Sequence, residues 1–420
     1  MVGTGKIIWL INHAAMPPHY EVRIQTLKRA KYLREYGFKV LIISGSYLHN
    51  TDINLIKDQS PYEFVDYDGG HSFIHIRTKN YTGNGIQRIF NLIVFYFRLW
   101  WYASKFEKPD YISHIAAVPF SNITYFIAKK FKAKFIVDVV DLWPESFVAY
   151  GLIAKNNLLL KLAYWAEYWL YKNADVLFFS MEGGKDYIKE KGWSIKQGGK
   201  VNLEKVVYIN NGVDLQDFDN NKLQFKLDDE DLEKNEVFRV VYVGSIRLAN
   251  NLKQLIDAAE LLKDLTNMQF LIYGDGEDRA YLENYCIEKN LSNVVFKQRW
   301  VELKYIPYIL SKSSLNILNY KNSEILRFGG SQSKSFQYMA SGKPICANVA
   351  MSYCPINQFN LGIAKEFQTP AEYAEAIKSI YELKTDAYLQ ICFNAREASK
   401  LYDYKSLTKK FVNALIYSTE

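Results

Sequence analysis

The clearest chemical signal in this chain is a helix start suited to an anion. Ser333 and Lys334 open an amphipathic stretch that Gly342 and Pro344 end, and a predicted strand at 345–349 follows. A serine cap, free first-turn N–H groups and the helix dipole together attract phosphate. We therefore predict a phosphate site at Ser333 and Lys334. An ordinary capped helix of an α/β domain is the alternative interpretation.

A second candidate phosphate contact follows a predicted strand at 238–243. Gly244 and Ser245 begin the turn after it, and glycine lets backbone N–H groups approach phosphate oxygens because it has no Cβ. Arg247 lies just beyond, where its guanidinium would neutralise charge. A solvated loop arginine is the competing interpretation for Arg247.

The elements that must position these residues alternate between strand and helix. In the first half, strands are predicted at 7–11, 39–44, 73–76, 111–115, 134–139, 175–180 and 206–209, and helices at 21–36, 86–106, 121–131, 158–173 and 182–190. In the second half, strands are predicted at 238–243, 269–273, 294–296, 315–318 and 345–349, and helices at 252–265, 279–289 and from 333. This alternation is typical of mostly parallel, doubly wound sheets.

A polar, acid-rich run at 219–236 separates the two halves, and we place the domain boundary there. The first predicted domain is 1–218, to which the end of the chain, 400–420, is added because its predicted helix, 406–417, is expected to return to the first domain. The second predicted domain is 219–399. Ligands of such folds bind outside the carboxyl ends of the strands.

Composition narrows the function classes. The 420 residues are 49% hydrophobic and 15% aromatic, which is enough for two cores. The four cysteines lack disulfide-scaffold or zinc-ligand spacing, so a reducing cytoplasm is expected. The first residues predict a buried strand and no signal peptide. A net charge of +7 favours an anionic partner, namely a nucleotide, a phospholipid surface or nucleic acid.

Six short motifs occur in order along the chain. They are Asp141-Leu142-Trp143-Pro144-Glu145-Ser146, Asn211-Gly212-Val213-Asp214 with Phe218, Val243-Gly244-Ser245-Ile246, Leu255-Ile256-Asp257-Ala258, Tyr273-Gly274-Asp275-Gly276, and Ser333-Lys334 with Tyr338-Met339-Ala340 and Gly342-Lys343-Pro344. With these motifs the chain resembles the retaining glycosyltransferases of family four, which have the GT-B fold. Within that family it resembles the transferases of surface polysaccharides such as O-antigen and capsule.

The resemblance implies an α/β protein with two Rossmann-like, doubly wound domains that face an interdomain cleft. It implies sugar transfer from a nucleoside diphosphate sugar to a lipid-linked or oligosaccharide acceptor, with retention of configuration. A cytoplasmic protein, peripheral on the inner face of an anionic membrane, would follow. No metal or other cofactor and no nucleic-acid partner are expected.

The resemblance also implies roles for individual residues. The implied donor-binding residues are Gly244, Ser245, Arg247, Ser333, Lys334 and Gln337. The family commonly has two glutamates here, and this chain has Gly329 and Gln337 in their places. Glutamine can still accept and donate hydrogen bonds to a ribose, but it supplies no carboxylate. The departing phosphate is expected to take the acceptor's proton, so the protein mainly positions substrates and stabilises charge.

The remaining candidates lie in the first domain. Asp141 and His114 are the candidate catalytic residues, and His13, His19, Arg23 and Glu145 are the candidate acceptor-binding residues. Asp138, inside an apolar strand, is a further candidate because a buried carboxylate needs partners. Glu145 is alternatively a helix-start residue after Pro144, and each histidine is alternatively structural.

An aromatic-rich predicted helix at 86–106 leaves two interpretations open. Basic residues interrupt it too often for a membrane-spanning helix. It is either a crossover helix packed on the sheet or an interfacial helix in contact with a bilayer. For the whole chain, two alternatives also stay open: a GT-B epimerase acting on a nucleotide sugar, and a non-catalytic membrane-docked subunit. Gly329 and Gln337 are the features that keep the non-catalytic subunit open.

Overall fold

The computed structural model describes residues 3–20, 24–49, 51–83, 85–117, 119–151 and 153–417. The chain forms two compact units: unit 1 comprises Met1–Asn210 with Tyr404–Glu420, and unit 2 comprises Asn211–Asp403. The division falls at Asn210, ahead of the acid-rich run that was predicted to separate the domains. That run belongs to unit 2 because it folds into two short helices of that unit.

Unit 1 is an eight-stranded sheet flanked by helices. Its strands are β1 (Ile7–Ile11), β2 (Lys39–Gly45), β3 (Tyr62–Tyr67), β4 (His71–Ile76), β5 (Tyr111–Ile115), β6 (Lys134–Val139), β7 (Val176–Phe179) and β8 (Val206–Tyr208). Its helices are α1 (Gln25–Glu35), α2 (Ile86–Tyr102), α3 (Ile123–Phe131), α4 (Glu145–Ala149), α5 (Leu158–Asn173) and α6 (Gly184–Glu190), with α16 (Tyr404–Tyr417) from the end of the chain.

The strand order of unit 1 is β3-β4-β2-β1-β5-β6-β7-β8, and every pairing is parallel except β3 with β4. Its inner strands are mostly apolar and buried on both faces, as parallel sheets require, whereas the edge strand β3 is half-exposed. Because crossover connections are right-handed, α2, α3 and α5 lie on one face of the sheet and α1 on the other. Helix α16 packs with α1, and Phe411 stacks on Phe178 with 4.6 Å between ring centroids.

Unit 2 is a six-stranded parallel sheet. Its strands are β9 (Phe238–Val243), β10 (Met268–Tyr273), β11 (Val294–Phe296), β12 (Leu315–Asn319), β13 (Ile345–Asn348) and β14 (Gly362–Lys365). Its helices are α7 (Leu215–Gln224), α8 (Glu230–Glu233), α9 (Leu252–Leu261), α10 (Arg279–Glu288), α11 (Ile306–Ser311), α12 (Ser333–Ala340), α13 (Pro355–Gln358), α14 (Pro370–Tyr381) and α15 (Thr385–Ser399).

The strand order of unit 2 is β11-β10-β9-β12-β13-β14, with all pairings parallel. The order reverses between β9 and β12, and ligands of doubly wound sheets bind outside the carboxyl ends of the strands at such a reversal. The two parallel α/β sheets confirm the predicted doubly wound architecture. In unit 2 a ligand is therefore expected to bind at the loops after β9 and β12.

An ion network fixes the acid-rich run to unit 2. Lys297 Nζ lies 2.6 Å from a carboxylate oxygen of Asp229 and 2.6 Å from one of Asp231. The hydroxyl of Tyr273 donates to Asp229 over 2.7 Å, and the Arg239 guanidinium donates to the carbonyl of Asp231 over 2.7 Å. The run is therefore part of the fold of unit 2.

Candidate functional site

Lys334 lies at the point in unit 2 where the strand order reverses. Its Nζ donates to the hydroxyl of Tyr242, the fifth residue of β9, over 3.0 Å and lies 4.5 Å from the centroid of that ring. It also lies 5.8 Å from the ring of Tyr320, the first residue after β12. A Cβ added to Gly244, the first residue after β9, would come within 2.2 Å of the same nitrogen. The structure thus brings together two predicted donor residues, Lys334 and Gly244.

The Lys334 side chain is half-buried, and its amine lies beside the rings of Tyr242 and Tyr320. Burial lowers its pKa from 10.5 to about 8, so it is mostly protonated at neutral pH. Within the part of the chain that the structure describes, no carboxylate forms an ion pair with it. A buried charge is normally paired. The arrangement therefore suits an anionic ligand.

The start of helix α12 differs from the prediction in one respect. Gln332, and not Ser333, is the N-cap residue, and its side chain does not cap the helix. Ser333 is exposed and is the first helical residue. Because the helix begins one residue earlier than a serine cap would require, Ser333 cannot bond the first-turn N–H groups as a cap does. The N–H of Ser335 donates to the carbonyl of Gln332 over 3.0 Å, so the N–H groups of Ser333 and Lys334 are the ones that could donate to an anion.

Three glycines allow the turns after β9 and β10 to pack together. A Cβ on Gly274 would lie 1.9 Å from the carbonyl oxygen of Gly244, and one on Gly276 would lie 2.1 Å from that of Ile246. The N–H of Ile246 donates to the carbonyl of Asp275 over 2.8 Å. Larger residues would push the turn after β9 out of place.

The loop before α12 is tied to the start of unit 2. The side-chain amide of Asn211 donates to the carbonyl of Ser331 over 3.0 Å and contacts its hydroxyl over 2.9 Å. Asp214, in the same motif, caps α7 by accepting from the N–H of Asp217. The Asn-Gly-Val-Asp motif therefore supports the loop that presents Lys334.

The other predicted donor residues lie on the turn that begins at Gly244 or on helix α12. The Ser245 hydroxyl donates to Asn250 over 3.1 Å, and its carbonyl accepts from Tyr242 over 2.6 Å. Arg247 is exposed at the end of the same turn. Gln337 is half-buried one turn after Ser333 on α12. These positions agree with a site that binds an anion at Lys334 and has further polar groups beside it.

A cavity of about 840 Å³ opens beside the α12 loop, at the carboxyl ends of β12, β13 and β14. It is lined by Asn322, Ser323, Glu324, Arg327, Ala350, Met351, Ser352, Asn357, Ala364, Lys365 and Glu366. A Cβ on Gly330 would come within 2.8 Å of the Met351 sulfur, so the wall of the cavity touches the loop that precedes α12. The cavity has both acidic and basic groups, as a polar ligand requires.

Two acceptor candidates of unit 1 occupy different environments. His13 is half-buried, its Nε2 lies 2.6 Å from the Asn91 side-chain oxygen on α2, and burial lowers its pKa to about 4. His19 is exposed and packs on the rings of Tyr20 and Tyr67, with 4.9 and 5.6 Å between centroids. His13 is therefore neutral and fixed, and His19 is accessible. Arg23 lies outside the described residues.

The catalytic candidate His114 lies inside the sheet of unit 1. Its side chain is fully buried in β5, and its Nε2 lies 3.4 Å from the Tyr96 hydroxyl. Burial lowers its pKa to about 3, so the ring is neutral. A catalytic group has to touch a substrate, and a fully buried strand residue does not. We therefore leave His114 out of the function proposed below.

The three carboxylates in and after β6 also differ from one another. Asp141 is exposed just beyond the carboxyl end of the strand. Glu145 is buried at the first position of α4 and accepts from Lys191 and from the Tyr164 hydroxyl, each over 2.5 Å. Asp138 is fully buried and paired with Arg29. Glu145 and Asp138 therefore have partners within unit 1, and Asp141 is the most accessible of the three.

Tyr242 and Tyr320 are contacts of the site that the sequence does not single out. Both follow from the strand order, because one belongs to β9 and the other directly follows β12. Only the pairing of these strands reveals that the two rings share Lys334. Over the described ranges, no three His, Cys, Asp or Glu side chains form a group that could hold a metal ion.

The comparisons with known proteins agree with this architecture. Residues 224–398, which lie in unit 2 and make up less than half of the chain, match the family model for glycosyl transferases group 1. No curated protein matches the chain significantly.

Solved structures match over almost the whole length. Sucrose-phosphate synthase from Thermosynechococcus elongatus has a TM-score of 0.70 and 16% identity, covering 99% of this chain and 100% of that one. E. coli trehalose-6-phosphate synthase bound with UDP-2-fluoro glucose has a TM-score of 0.71 and 10% identity, covering 98% and 99%. Anabaena HepE in complex with UDP and glucose has a TM-score of 0.62 and 16% identity, covering 97% and 99%.

At these identities the likeness shows the fold. The chain has the GT-B fold, as predicted, and residues 224–398 of its second unit match the glycosyl transferases group 1 model.

Proposed function

We propose that this protein is a glycosyltransferase that binds a nucleoside diphosphate sugar in unit 2, with the diphosphate against Lys334. One observation carries the proposal: the amine of half-buried Lys334, without a carboxylate partner among the described residues, lies over Gly244 where the strand order of the sheet reverses. A phosphate would supply the missing counter-charge. It would also accept hydrogen bonds from the open first turn of α12.

The neighbouring groups fit the rest of such a donor. The exposed guanidinium of Arg247 is near enough in sequence to the Gly244 turn to offer a second cation. Gln337 is assigned to the ribose, where its amide would both accept and donate hydrogen bonds. We assign the donor sugar to the cavity next to the α12 loop because its walls carry both charge signs and amides. Two of the structural neighbours carry UDP or a UDP-sugar analogue, which supports this donor class.

The proposed reaction joins an acceptor hydroxyl oxygen to the anomeric carbon and breaks the bond from that carbon to the diphosphate. The hydroxyl attacks from the face that the phosphate leaves, so the configuration is retained. The departing phosphate takes the hydroxyl proton, and no further reactant is required. Lys334 and the α12 N–H groups stabilise the charge that develops on the leaving group. The proposal assigns no cofactor.

The acceptor is proposed to be a lipid-linked glycan or an oligosaccharide used for a surface polysaccharide. The protein would then act as a peripheral protein on the cytoplasmic face of the membrane. His13, His19, Arg23 and Asp141 remain the candidates for acceptor contacts in unit 1. Glu145 is a weaker candidate because Lys191 and Tyr164 already engage its carboxylate.

A two-stage assay tests the proposal. A thermal-shift screen with UDP, GDP and ADP first identifies the nucleotide, since preferential binding stabilises the folded state. The matching nucleotide sugars are then incubated with lipid-linked acceptors, and the product and its anomeric configuration are determined by mass spectrometry and NMR. We expect transfer with retention, lost in Lys334→Met. Binding without donor hydrolysis or transfer would support a non-catalytic subunit, and absence of nucleotide binding would refute the site.

A further inference from the structure

Helices α2, α3 and α5 of unit 1 form a continuous apolar outer surface, here called the three-helix surface. The ring of Trp100 on α2 lies 6.4 Å from that of Phe126 on α3, and Phe126 stacks at 5.6 Å on Trp169 of α5. The three helices are neighbours because the connections between β4, β5, β6 and β7 all cross the same face of the sheet. Their outward residues therefore form one surface.

Helix α2 is apolar on two opposite sides. Its inward side packs on the unit through Phe95, Tyr96 and Leu99, which are buried. Its outward residues recur at helical spacing and are exposed: Ile86, Ile89, Phe90, Ile93, Phe97, Trp100 and Trp101. The packed-crossover interpretation therefore describes the inner side only. Apart from the contact of Trp100 with Phe126 of α3, the outer side stays exposed within the described residues of this chain.

Helices α3 and α5 extend the same surface. Phe126 is 48% exposed on α3, and the first turns of α5 expose Leu158, Leu159, Leu162 and Trp165 by 56–71%. An apolar patch of this kind on a soluble unit marks a place where something binds. Large aromatic residues, tryptophan above all, suit the boundary between water and lipid.

The exposed charges of these three helices are all positive. Helices α2 and α3 contain no acidic residue, and the one acid of α5, Glu167, is fully buried and accepts from the hydroxyls of Tyr171 and Tyr187. The exposed basic residues of α3 and α5 are Lys129, Lys130, Lys161 and Lys172. Aromatic residues bordered by lysines complement a surface that is apolar inside and negative outside.

We propose that the three-helix surface docks onto an anionic lipid bilayer, with its aromatic residues in the interface and its lysines on lipid phosphates. Among the helices that the structure describes, none is long and apolar enough to cross a membrane, which fits a surface that lies on the bilayer. A protein partner or a second copy would bring carboxylates to meet four lysines, whereas an anionic bilayer provides negative charge over the whole area. The docking does not depend on the proposed donor site.

Vesicle co-sedimentation tests this surface. The full chain is mixed with phosphatidylcholine vesicles and with vesicles that contain about 30% phosphatidylglycerol, at about 0.1 and about 1 M salt. We expect binding to the anionic vesicles that salt weakens. Phe97→Ser with Trp101→Ser removes two exposed stacked rings and should weaken binding at least about tenfold. Lys129→Gln with Lys130→Gln should lower the preference for anionic vesicles about tenfold.

A matched control is available in unit 2. Leu389 and Phe393 are 56% and 61% exposed one turn apart on α15, outside the proposed surface. Leu389→Ser with Phe393→Ser should bind vesicles as the wild type does, and so should Lys334→Met, which removes the nucleotide contact alone. Circular dichroism verifies that each variant is folded.

Two results would overturn the proposal. One is a Phe97→Ser/Trp101→Ser variant that binds anionic vesicles as tightly as the wild type. The other is a wild type that fails to bind them. If sedimentation velocity then showed a dimer that the same variant dissociates, the surface would belong to a second copy of the chain.

Discussion

The amine of Lys334 occupies the place next to Gly244 where a side chain would begin. A Cβ on Gly244 would lie 2.2 Å from Nζ and 2.3 Å from Cε of that lysine. The glycine also has φ of +149°, which other residues rarely adopt. Position 244 thus has to be glycine for Lys334 to reach its place beside Tyr242.

Gly244→Ala should therefore damage nucleotide binding more than it damages the fold. The new methyl group displaces the end of a flexible side chain, so we expect a destabilisation of about 1–3 kcal/mol. We expect nucleoside diphosphate affinity to fall at least about tenfold, because the amine loses its position. Calorimetric titration and urea unfolding measure the two effects.

Gly198→Ala is the control for backbone strain. Gly198 also has a left-handed φ, +86°, but nothing lies within 4 Å of its added Cβ. It should lose stability and keep nucleotide affinity. Equal nucleotide affinity in wild type and Gly244→Ala would show that the contact with Lys334 has no part in binding.

Lys334→Met should make the protein without ligand more stable at neutral pH. The folded pKa of about 8 lies below the unfolded 10.5, so the unfolded chain binds more protons between these values and wild-type stability rises with pH there. Below pH 8 the half-buried cation costs its full penalty, and its removal should gain about 1–3 kcal/mol. The gain should shrink as pH approaches 10.5.

Urea unfolding at pH 7 and at pH 10 measures this difference. Lys263→Met, which replaces an exposed lysine on the same unit, should leave stability nearly unchanged at both values. A Lys334→Met variant that is less stable than the wild type at pH 7 would mean that the lysine has a stabilising partner.

Gln337→Glu should raise the catalytic efficiency with a nucleotide sugar about fivefold, since a carboxylate accepts a stronger hydrogen bond from a ribose hydroxyl than an amide does. Gln337→Ala should lower donor affinity. Initial rates over a range of donor concentrations separate kcat from KM. The assignment to ribose fails if the alanine variant binds the donor as the wild type does.

The buried histidines predict that unit 1 loses stability in acid before unit 2. Burial lowers the pKa of His13, His71 and His75 to about 4 and that of His114 to about 3. The unfolded chain takes up protons near pH 6.5, so stability falls as pH drops from 6.5 towards 4, on the order of 1 kcal/mol per pH unit for each histidine. Hydrogen exchange at pH 7 and pH 5 should show the loss in unit 1.

Two substitutions test the cause. His75→Gln removes a fully buried ring that contacts Ser44 and Tyr67, each over 2.9 Å, and should lessen the pH dependence. His19→Gln changes an exposed ring and should leave the pH dependence of stability unchanged. Equal acid sensitivity of the two units would contradict the explanation.

Elements with strong local patterns could be predicted from the sequence. The apolar runs predict β1, β5, β6 and β9 with the bounds that the structure has, because a strand buried on both faces is mostly apolar. Strand β3 was missed because it is a half-exposed edge strand with acidic residues. Helices α14 and α15 carry no chemical motif and were not assigned.

The contacts of the site needed the three-dimensional structure. The motif at Asn211 was recognised, but its hydrogen bonds to Ser331 join residues far apart in the chain. The approach of Lys334 to Tyr242 and Tyr320 depends on the pairing of β9 with β12, which no local pattern encodes. Residue types at the helix start predict an anion site, which stays a prediction, and tertiary packing determines which groups lie beside Lys334.

The most direct test of the account is a calorimetric titration of UDP, GDP and ADP into the wild type and into Lys334→Ala at pH 7. We predict that at least one nucleotide binds the wild type and that Lys334→Ala weakens this binding at least about tenfold, because a charge-assisted contact to the diphosphate is lost. Equal affinity of the two proteins for the nucleotide would contradict the central claim.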